Sequence, residues 1–210
     1  MDSFKATGLT PGSAPTRPGT GRQARAEATR SRIIEETVDC VLEQGFSAAS
    51  AKHIAERAGV TWGVVQYHFG DRDGILAAVV EAGLVSLVDS MSSVEIPTGS
   101  LRERVEGLVE AGWNAYTSPL TRAGLEILVA TRTARGATLE SQLEPFGREV
   151  ARLARTVLPE AGNAGRVLFL ALRGLALDQL LHPTTRDSRA DRAAIVEAVL
   201  CQLGDAAARD

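Results

Sequence analysis

The feature that most constrains the fold of this chain is a helical spacing of apolar residues that few prolines interrupt. No proline occurs from position 19 to 96, and Pro97, Pro119, Pro145, Pro159 and Pro183 divide the remainder. Apolar residues recur at i, i+3, i+4 and i+7, and no stretch shows the sustained apolar/polar alternation of a half-buried strand. We therefore predict an all-α fold of about nine helices.

The helices divide into a short amino-terminal set and a longer set beyond Pro97. The first spans about 25–44, and Ser50, Thr61 and Asp71 are typical N-cap residues that precede the next three. Ser100 and Glu103 form a capping box that opens the fifth helix. The later helices are expected at 101–117, 120–135, 138–157 with Pro145 as a kink or restart, 163–181 and 189–203.

Composition and spacing exclude several classes of protein. Of 210 residues 44% are hydrophobic, which suffices for a core, and the net charge of −3 does not indicate nucleic-acid binding. Cys40 and Cys201 lie far apart without a metal-binding spacing, so we expect no metal, no cofactor and an inert thiol at Cys40. No GxSxG motif or phosphate loop is present, so we do not expect an enzyme.

The termini and longest apolar run predict neither export nor membrane insertion. The longest bulky apolar run, Val167 to Leu172, is far shorter than the roughly 18 residues of a membrane helix. The amino terminus carries Asp2 and no signal-peptide pattern, which predicts a cytoplasmic protein. Residues 1–24 include 13 Gly, Pro, Ser or Thr residues and are predicted to be a disordered tail.

A local basic segment precedes two short helices. Residues 17–32 contain five arginines against Glu27 alone. Beyond them, helices of about nine residues are joined by Gly59-Val60-Thr61, which is the length and composition of a helix-turn-helix. Such a unit places its second helix in the major groove of double-stranded DNA. We therefore predict a DNA-binding domain at 25–71 and a second domain at 72–205.

The same stretch resembles a known family of regulators. Gly45-Phe46, Ile54-Ala55-Glu56-Arg57-Ala58-Gly59-Val60-Thr61, His68-Phe69 and Asp71-Arg72-Asp73 are similar to the DNA-binding domain of tetracycline-repressor-like (TetR) regulators. Gln66 departs from the usual Tyr, Arg72 replaces the usual Lys, and Trp62 stands where a polar base-reading residue is common. These departures concern the operator sequence, and the predicted DNA binding is unaffected.

Helical geometry separates the predicted DNA contacts from the core. Val65 and Phe69 share the buried stripe of the third helix, which leaves the opposite face for DNA. Gly63 allows close approach, while Trp62, Val64 and Gln66 are candidate base readers. The candidate phosphate contacts are Arg30, Ser50, Lys52, Thr61, Tyr67, His68 and Arg72. Packing in the core remains the alternative for Trp62 and His68, and a solvated face remains the alternative for the arginines.

For the second domain, the resemblance implies effector binding and dimerisation through the last two helices. The residues at 167–181 are apolar around most of the helix, which independently favours burial on more than one side. The candidate interface residues are Leu168, Leu172, Leu175, Val196, Val199 and Leu200. The candidate pocket residues, for which core packing is the alternative, are Trp113, Tyr116, Leu120, Ile127, Leu128, Thr131 and Phe146.

Together these observations predict a homodimeric, sequence-specific regulator that binds a palindromic operator. We expect a repressor released by a small-molecule effector whose identity the sequence does not reveal. The alternatives are a sequence-neutral DNA-compacting protein and a helical interaction module without effector response.

Overall fold

A computed structural model describes residues 21–93, 99–157, 164–182 and 184–207, excluding the side chains at 134–143, 145–146, 150, 153–154, 157 and 205–207. Within these ranges every regular element is helical, which confirms the predicted all-α fold. A short 3₁₀ turn lies at Phe46–Ala48. The α-helices are α1 Gly21–Gln44, α2 Ala51–Arg57, α3 Trp62–Phe69, α4 Arg72–Ser92, α5 Leu101–Thr117, α6 Pro119–Val157, α7 Ala164–Leu180 and α8 Arg189–Ala207.

Two helix boundaries differ from the predictions. α6 is continuous through Pro145, so the prediction of separate helices at 120–135 and 138–157 was wrong. The proline removes one backbone hydrogen bond from the helix interior, and the remaining turns of this 39-residue helix keep it continuous. α1 begins at Gly21, so residues 21–24 are helical, and the rest of the predicted tail lies outside the described residues.

The first of two buried clusters, here called the head cluster, joins the amino-terminal helices to α6. Its amino-terminal members come from α1, α2, α3 and the first half of α4. Ala123 and Ile127 of α6 belong to the same cluster. The amino-terminal members include Ile33, Val38, Val41, Ile54, Ala55, Val65, Ile75, Leu76 and Val79.

The second cluster, here called the body cluster, fills the space between α4, α5, α6, α7 and α8. It includes Leu87, Met91, Val105, Leu108, Trp113, Tyr116, Leu168, Leu172, Val196, Val199 and Leu203. Ser100 and Glu103 form the predicted capping box at the start of α5. The bidentate pair of Arg102 with Glu197, at 2.6 and 3.1 Å, connects α5 to α8 across the surface.

α4 connects the two clusters and packs most extensively against α6. At their crossing, a Cβ added to Gly83 would lie 3.0 Å from the carbonyl oxygen of Leu120. A Cβ added to Gly124 would lie 3.9 Å from the Cα of Gly83. The two backbones therefore approach so closely that a side chain at position 83 would require the α6 backbone to shift by a few tenths of an ångström.

By length and composition, α4 is the one helix in the described ranges that could cross a membrane. Ile75, Leu76, Val79 and Leu87 of this helix are nevertheless buried against other helices of the chain. The apolar character of α4 is thus accounted for by its position between the two clusters.

We expect Gly83→Val to lower the free energy of unfolding by about 2 kcal/mol or more, because an overpacked contact forces two backbones apart. Gly147→Val in α6 is the matched control, since a Cβ at Gly147 meets nothing within 4 Å. Denaturant titration followed by circular dichroism measures both variants. Equal stabilities of the two variants would contradict the close approach of α4 and α6.

Candidate nucleic-acid interface

The turn between α2 and α3 is held by backbone hydrogen bonds. The amide of Val60 donates to the carbonyl of Ala55 at 3.0 Å, and Gly59 has a φ of +62°. This geometry ends α2 in a left-handed residue, which favours glycine. The turn sends the chain directly into α3 and gives the two helices the predicted helix-turn-helix arrangement.

One face of α3 is buried and the opposite face is exposed. Val65 is fully buried in the head cluster. Trp62 is 45% exposed and Tyr67 is 80% exposed, and Gly63 and Gln66 are also exposed. These four side-chain positions lie on the arc of the helix that is free to enter a groove.

Two other predicted contacts on α3 are half-buried. Val64 packs against the head cluster, which limits its reach toward a base. The ring of His68 stands edge-on to that of Tyr67, with 5.0 Å between centroids. His68 thereby supports one side of the exposed Tyr67 ring.

The amino-terminal ends of α2 and α3 differ in their caps. The Ser50 hydroxyl accepts a hydrogen bond from the amide of His53 at 3.2 Å. Thr61 is also an N-cap residue, but its side chain makes no cap hydrogen bond. Both residues are exposed, so their hydroxyl groups are accessible to a phosphate.

The predicted basic contacts have different surroundings. Lys52 is exposed and lies 3.8 Å from Glu56 on the same helix. Arg30 is exposed on α1, and its guanidinium lies 5.3 Å from the centre of the Phe69 ring at the end of α3. α1 therefore passes beside the candidate recognition helix.

Arg57 fixes α2 against α1. Its Nη1 lies 2.9 Å from Glu43 and its Nε lies 3.2 Å from Glu36. Hydrogen bonding to Glu43 raises the pKa of Arg57 above its usual value. Sequence reasoning missed this role of Arg57, because its position in the motif gave no sign of a partner on α1.

Arg72 is half-buried and turned toward the protein. Its Nε donates to the carbonyl of Ala49 at 2.6 Å and its Nη2 donates to that of Phe46 at 3.1 Å. Its guanidinium also lies 4.6 Å from the centre of the Phe46 ring. Sequence reasoning missed Glu126 of α6, which accepts a hydrogen bond from the amide of Phe46 at 2.9 Å.

The candidate pocket residues do not share one environment. Trp113 and Tyr116 belong to the body cluster, whereas Ile127 is fully buried in the head cluster. Leu128 borders both clusters. Burial raises the pKa of Tyr116 to about 12, so its phenol is neutral at physiological pH.

The remaining pocket candidates lie on α6. Leu120 packs against the head cluster, Thr131 donates to the carbonyl of Ile127 at 2.7 Å, and the side chain of Phe146 lies outside the described residues. Nearby, the Nε of Arg122 is buried and has no hydrogen-bond partner within the described part of the chain. The sequence signal for Arg122 was a single cation within an apolar stretch of α6.

The candidate dimer residues lie inside the single chain. Leu168, Leu172, Val196 and Val199 are buried in the body cluster, and Leu175 and Leu200 pack against it. The prediction therefore chose the inward faces of α7 and α8. The large apolar side chains that α7 exposes are Val167 and Leu170, and Leu181 follows at its end.

Comparisons with known proteins agree with this geometry. The model of a family of bacterial regulatory proteins, the tetR family, matches residues 33–79, which run from α1 into α4. Over these residues the chain is similar to the tetR family. The family model thus covers the helix-turn-helix and the helices that support it.

Curated proteins that match this chain are transcriptional regulators. It is 35% identical over 106 residues to the HTH-type transcriptional regulator SrpR of Pseudomonas putida, which covers 50% of this chain and 48% of SrpR. The chain thus spans about half the length of SrpR. It is 27% identical over 180 residues to the regulator BetI of Escherichia coli, which covers 75% of this chain and 90% of BetI.

Solved structures show the same fold at low identity. NalD of Pseudomonas aeruginosa, the secondary repressor of the MexAB-OprM multidrug efflux pump, superposes with a TM-score of 0.59 at 23% identity, covering 85% of this chain and 97% of NalD. The fatty acid degradation regulator FadR of Bacillus halodurans gives a TM-score of 0.64 at 16% identity, covering 82% and 94%.

Cysteine and metal chemistry have little support in the described part of the chain. Cys40 is buried in the head cluster, and burial raises the pKa of its thiol. Within the described ranges, no three His, Cys, Asp or Glu side chains are grouped so as to hold a metal ion. Cys40 is therefore a poor nucleophile in the folded chain.

We expect Ser50→Ala to lower the free energy of unfolding by about 1 kcal/mol, because the amide of His53 loses its cap. Thr61→Ala is the matched control, and its stability should stay within about 0.5 kcal/mol of the wild type. Thermal or denaturant unfolding measures the difference. A Thr61 variant as unstable as the Ser50 variant would mean that both hydroxyl groups are structural caps.

Proposed function

We propose that this protein is a homodimeric transcriptional regulator of the TetR family that binds a palindromic operator and acts as a cytoplasmic repressor released by a small molecule. The observation that carries the proposal is the exposed face of α3, where Trp62 and Tyr67 stand in solvent although Val65 of the same helix is fully buried. An aromatic pair at such exposure has no role in the core of the chain.

The surface beside α3 carries arginines suited to binding the phosphate backbone of DNA. Arg22, Arg25 and Arg32 are exposed and share one face of α1 at helical spacing, and Arg30 lies beside Phe69 of α3. Lysine and arginine contacts to phosphates fix the register of a protein on DNA, while groove contacts specify sequence. In this proposal, Gln66 and Trp62 read bases and Tyr67, Thr61 and Ser50 contact phosphates.

The proposed dimer uses the outward face of α7. Val167, Leu170 and Gly174 are exposed at spacings of three and four residues opposite the buried stripe, Leu177 is half-buried against the body cluster, and Leu181 is exposed just beyond the helix. This is the spacing by which two helices pack side by side. On α8, Ala190, Ala194, Ala198 and Cys201 form an exposed stripe of small side chains. A two-fold pair of α7 and α8 would present two α3 helices to successive turns of DNA.

Two kinds of observation support repression and its release by an effector. NalD is named as a repressor of a multidrug efflux pump, and it shares the fold of this chain. Trp113 and Tyr116 supply aromatic surface to the body cluster, and the buried Nε of Arg122 supplies an unused donor. We propose that an effector binds between α4, α5 and α6 and changes the spacing of the two α3 helices.

The test of DNA binding is selection of duplex fragments from genomic DNA of the host, followed by gel-shift titration. We expect the wild-type protein to bind the selected palindrome at least about 10³-fold more tightly than a scrambled duplex. Tyr67→Ala should weaken binding to both duplexes by the same factor, because a phosphate contact carries no sequence information. Trp62→Ala or Gln66→Ala should instead change the preferred bases.

Val85→Ala is the control for these variants, because it removes an exposed apolar side chain from α4. Its affinity and base preference should equal those of the wild type. Equal affinity of the wild type for palindrome and scrambled duplex would favour a DNA-compacting protein, and no affinity for either would favour a helical interaction module.

The dimer is tested by Leu170→Glu, which introduces a charge into the proposed helix pairing. We expect the dissociation constant of the dimer to rise by at least about 100-fold, equivalent to roughly 3 kcal/mol, in sedimentation equilibrium. Val129→Glu on α6 is the matched control, since Val129 is 45% exposed and Leu170 is 43% exposed. A Leu170 variant that dimerises like the control would exclude this face of α7.

A further inference from the structure

The turn that leads from α1 into α2 is held by hydrogen bonds to two side chains from distant parts of the chain. Arg72 of α4 holds the carbonyl groups of Phe46 and Ala49, and Glu126 of α6 accepts from the amide of Phe46. Phe46 is therefore fixed at both its N–H and its C=O. The two helices that supply these side chains are the pair that cross at Gly83 and Gly124.

The position of this turn determines where α2 begins. The 3₁₀ turn ends at Ala48, Ala49 is fully buried, and Ser50 is the N-cap of α2. Ser50 and Lys52 are the proposed phosphate contacts at this end of the helix. A shift of the turn thus moves both residues relative to α3.

The hydrogen bonds made by Arg72 and Glu126 are of a kind that positions the turn at Phe46–Ala48. The Arg72 guanidinium forms two hydrogen bonds to carbonyl groups and lies over the Phe46 ring, a combination that the single ammonium of a lysine does not reproduce. The Glu126 carboxylate gives the amide of Phe46 a charge-assisted hydrogen bond across 80 residues of sequence.

We propose that Glu126 is a positioning residue through which the position of α6 sets the position of the DNA-contacting end of α2. Arg72 is a second positioning residue, which holds the turn at Phe46–Ala48 against α4. This inference rests on the proposed function. The hydrogen bond from Phe46 to Glu126 gives the amino-terminal helices a polar connection to the regulatory helices besides the covalent one through α4. A displacement of α6 along α4 pulls on Phe46 and moves Ser50 and Lys52 from their phosphates.

The first test uses three glutamate variants and two measurements. Glu126→Ala removes the acceptor, Glu126→Gln keeps an oxygen that can accept, and Glu81→Ala removes an exposed carboxylate from α4 as the control. Amide hydrogen exchange of residues 46–50 in the free protein reports the turn. Gel-shift titration with the genomic duplex selected by the wild type reports DNA binding.

We expect Glu126→Ala to raise exchange in the turn by about 10-fold or more, as expected for a lost protecting hydrogen bond, and to weaken DNA binding about 10-fold. Glu126→Gln should recover most of both properties, and Glu81→Ala should match the wild type. Exchange and affinity that both stay at control values would overturn the proposal, as would faster exchange with unchanged affinity. If the wild type selects no duplex, the proposed function has failed, and exchange alone decides whether Glu126 positions the turn.

The second test distinguishes positioning from phosphate contact at Arg72. A phosphate contact contributes about 0.9 to the slope of log affinity against log salt concentration. We expect Arg72→Lys and Arg72→Met to weaken DNA binding with an unchanged slope, and with faster exchange at residues 46–50. A slope reduced by about one unit in Arg72→Met, with Arg72→Lys retaining the wild-type slope, would instead make Arg72 a phosphate contact.

Discussion

The close crossing of α4 and α6 is the contact on which the rest of the structure depends. Gly83 brings the α4 backbone to within van der Waals distance of Leu120 and Thr121, and the Thr121 hydroxyl donates to the carbonyl of Gly83 at 3.4 Å. Packing at this distance leaves no room for one helix to rotate without displacing the other. The two helices therefore support the head cluster together, and a displacement of α6 changes its contact with α4.

This support gives the proposed mechanism two routes from the regulatory helices to DNA. α4 is the covalent link, but Ala123 and Ile127 of α6 complete the head cluster, and Glu126 holds Phe46. The amino-terminal helices thus pack against both α4 and α6. In the proposed mechanism, an effector that moves α6 acts on the turn before α2, and movement of α4 acts on the turn before it at Asp71.

Local chemistry made much of the fold and recognition helix predictable. Helix caps at Ser50 and Asp71 involve partners three residues away, and the buried position of Val65 follows from helical spacing. The roles of Arg72 and Glu126 were not accessible in this way. Their partners lie 23–26 and 80 residues away, and a charge in a motif does not reveal whether it points to a ligand or to a carbonyl.

The choice between the two faces of α7 has a similar physical cause. Leu168 and Leu172 on one side, and Val167 and Leu170 on the other, are equally apolar, so the hydrophobic effect alone does not choose which side closes the single chain. That choice is made by α5 and α8, which together cover only the side with Leu168 and Leu172. The side left over stays exposed in the single chain, and the proposed dimer covers it with a second copy of the same helix. In that proposal, the packing of the body cluster also sets the separation of the two α3 helices.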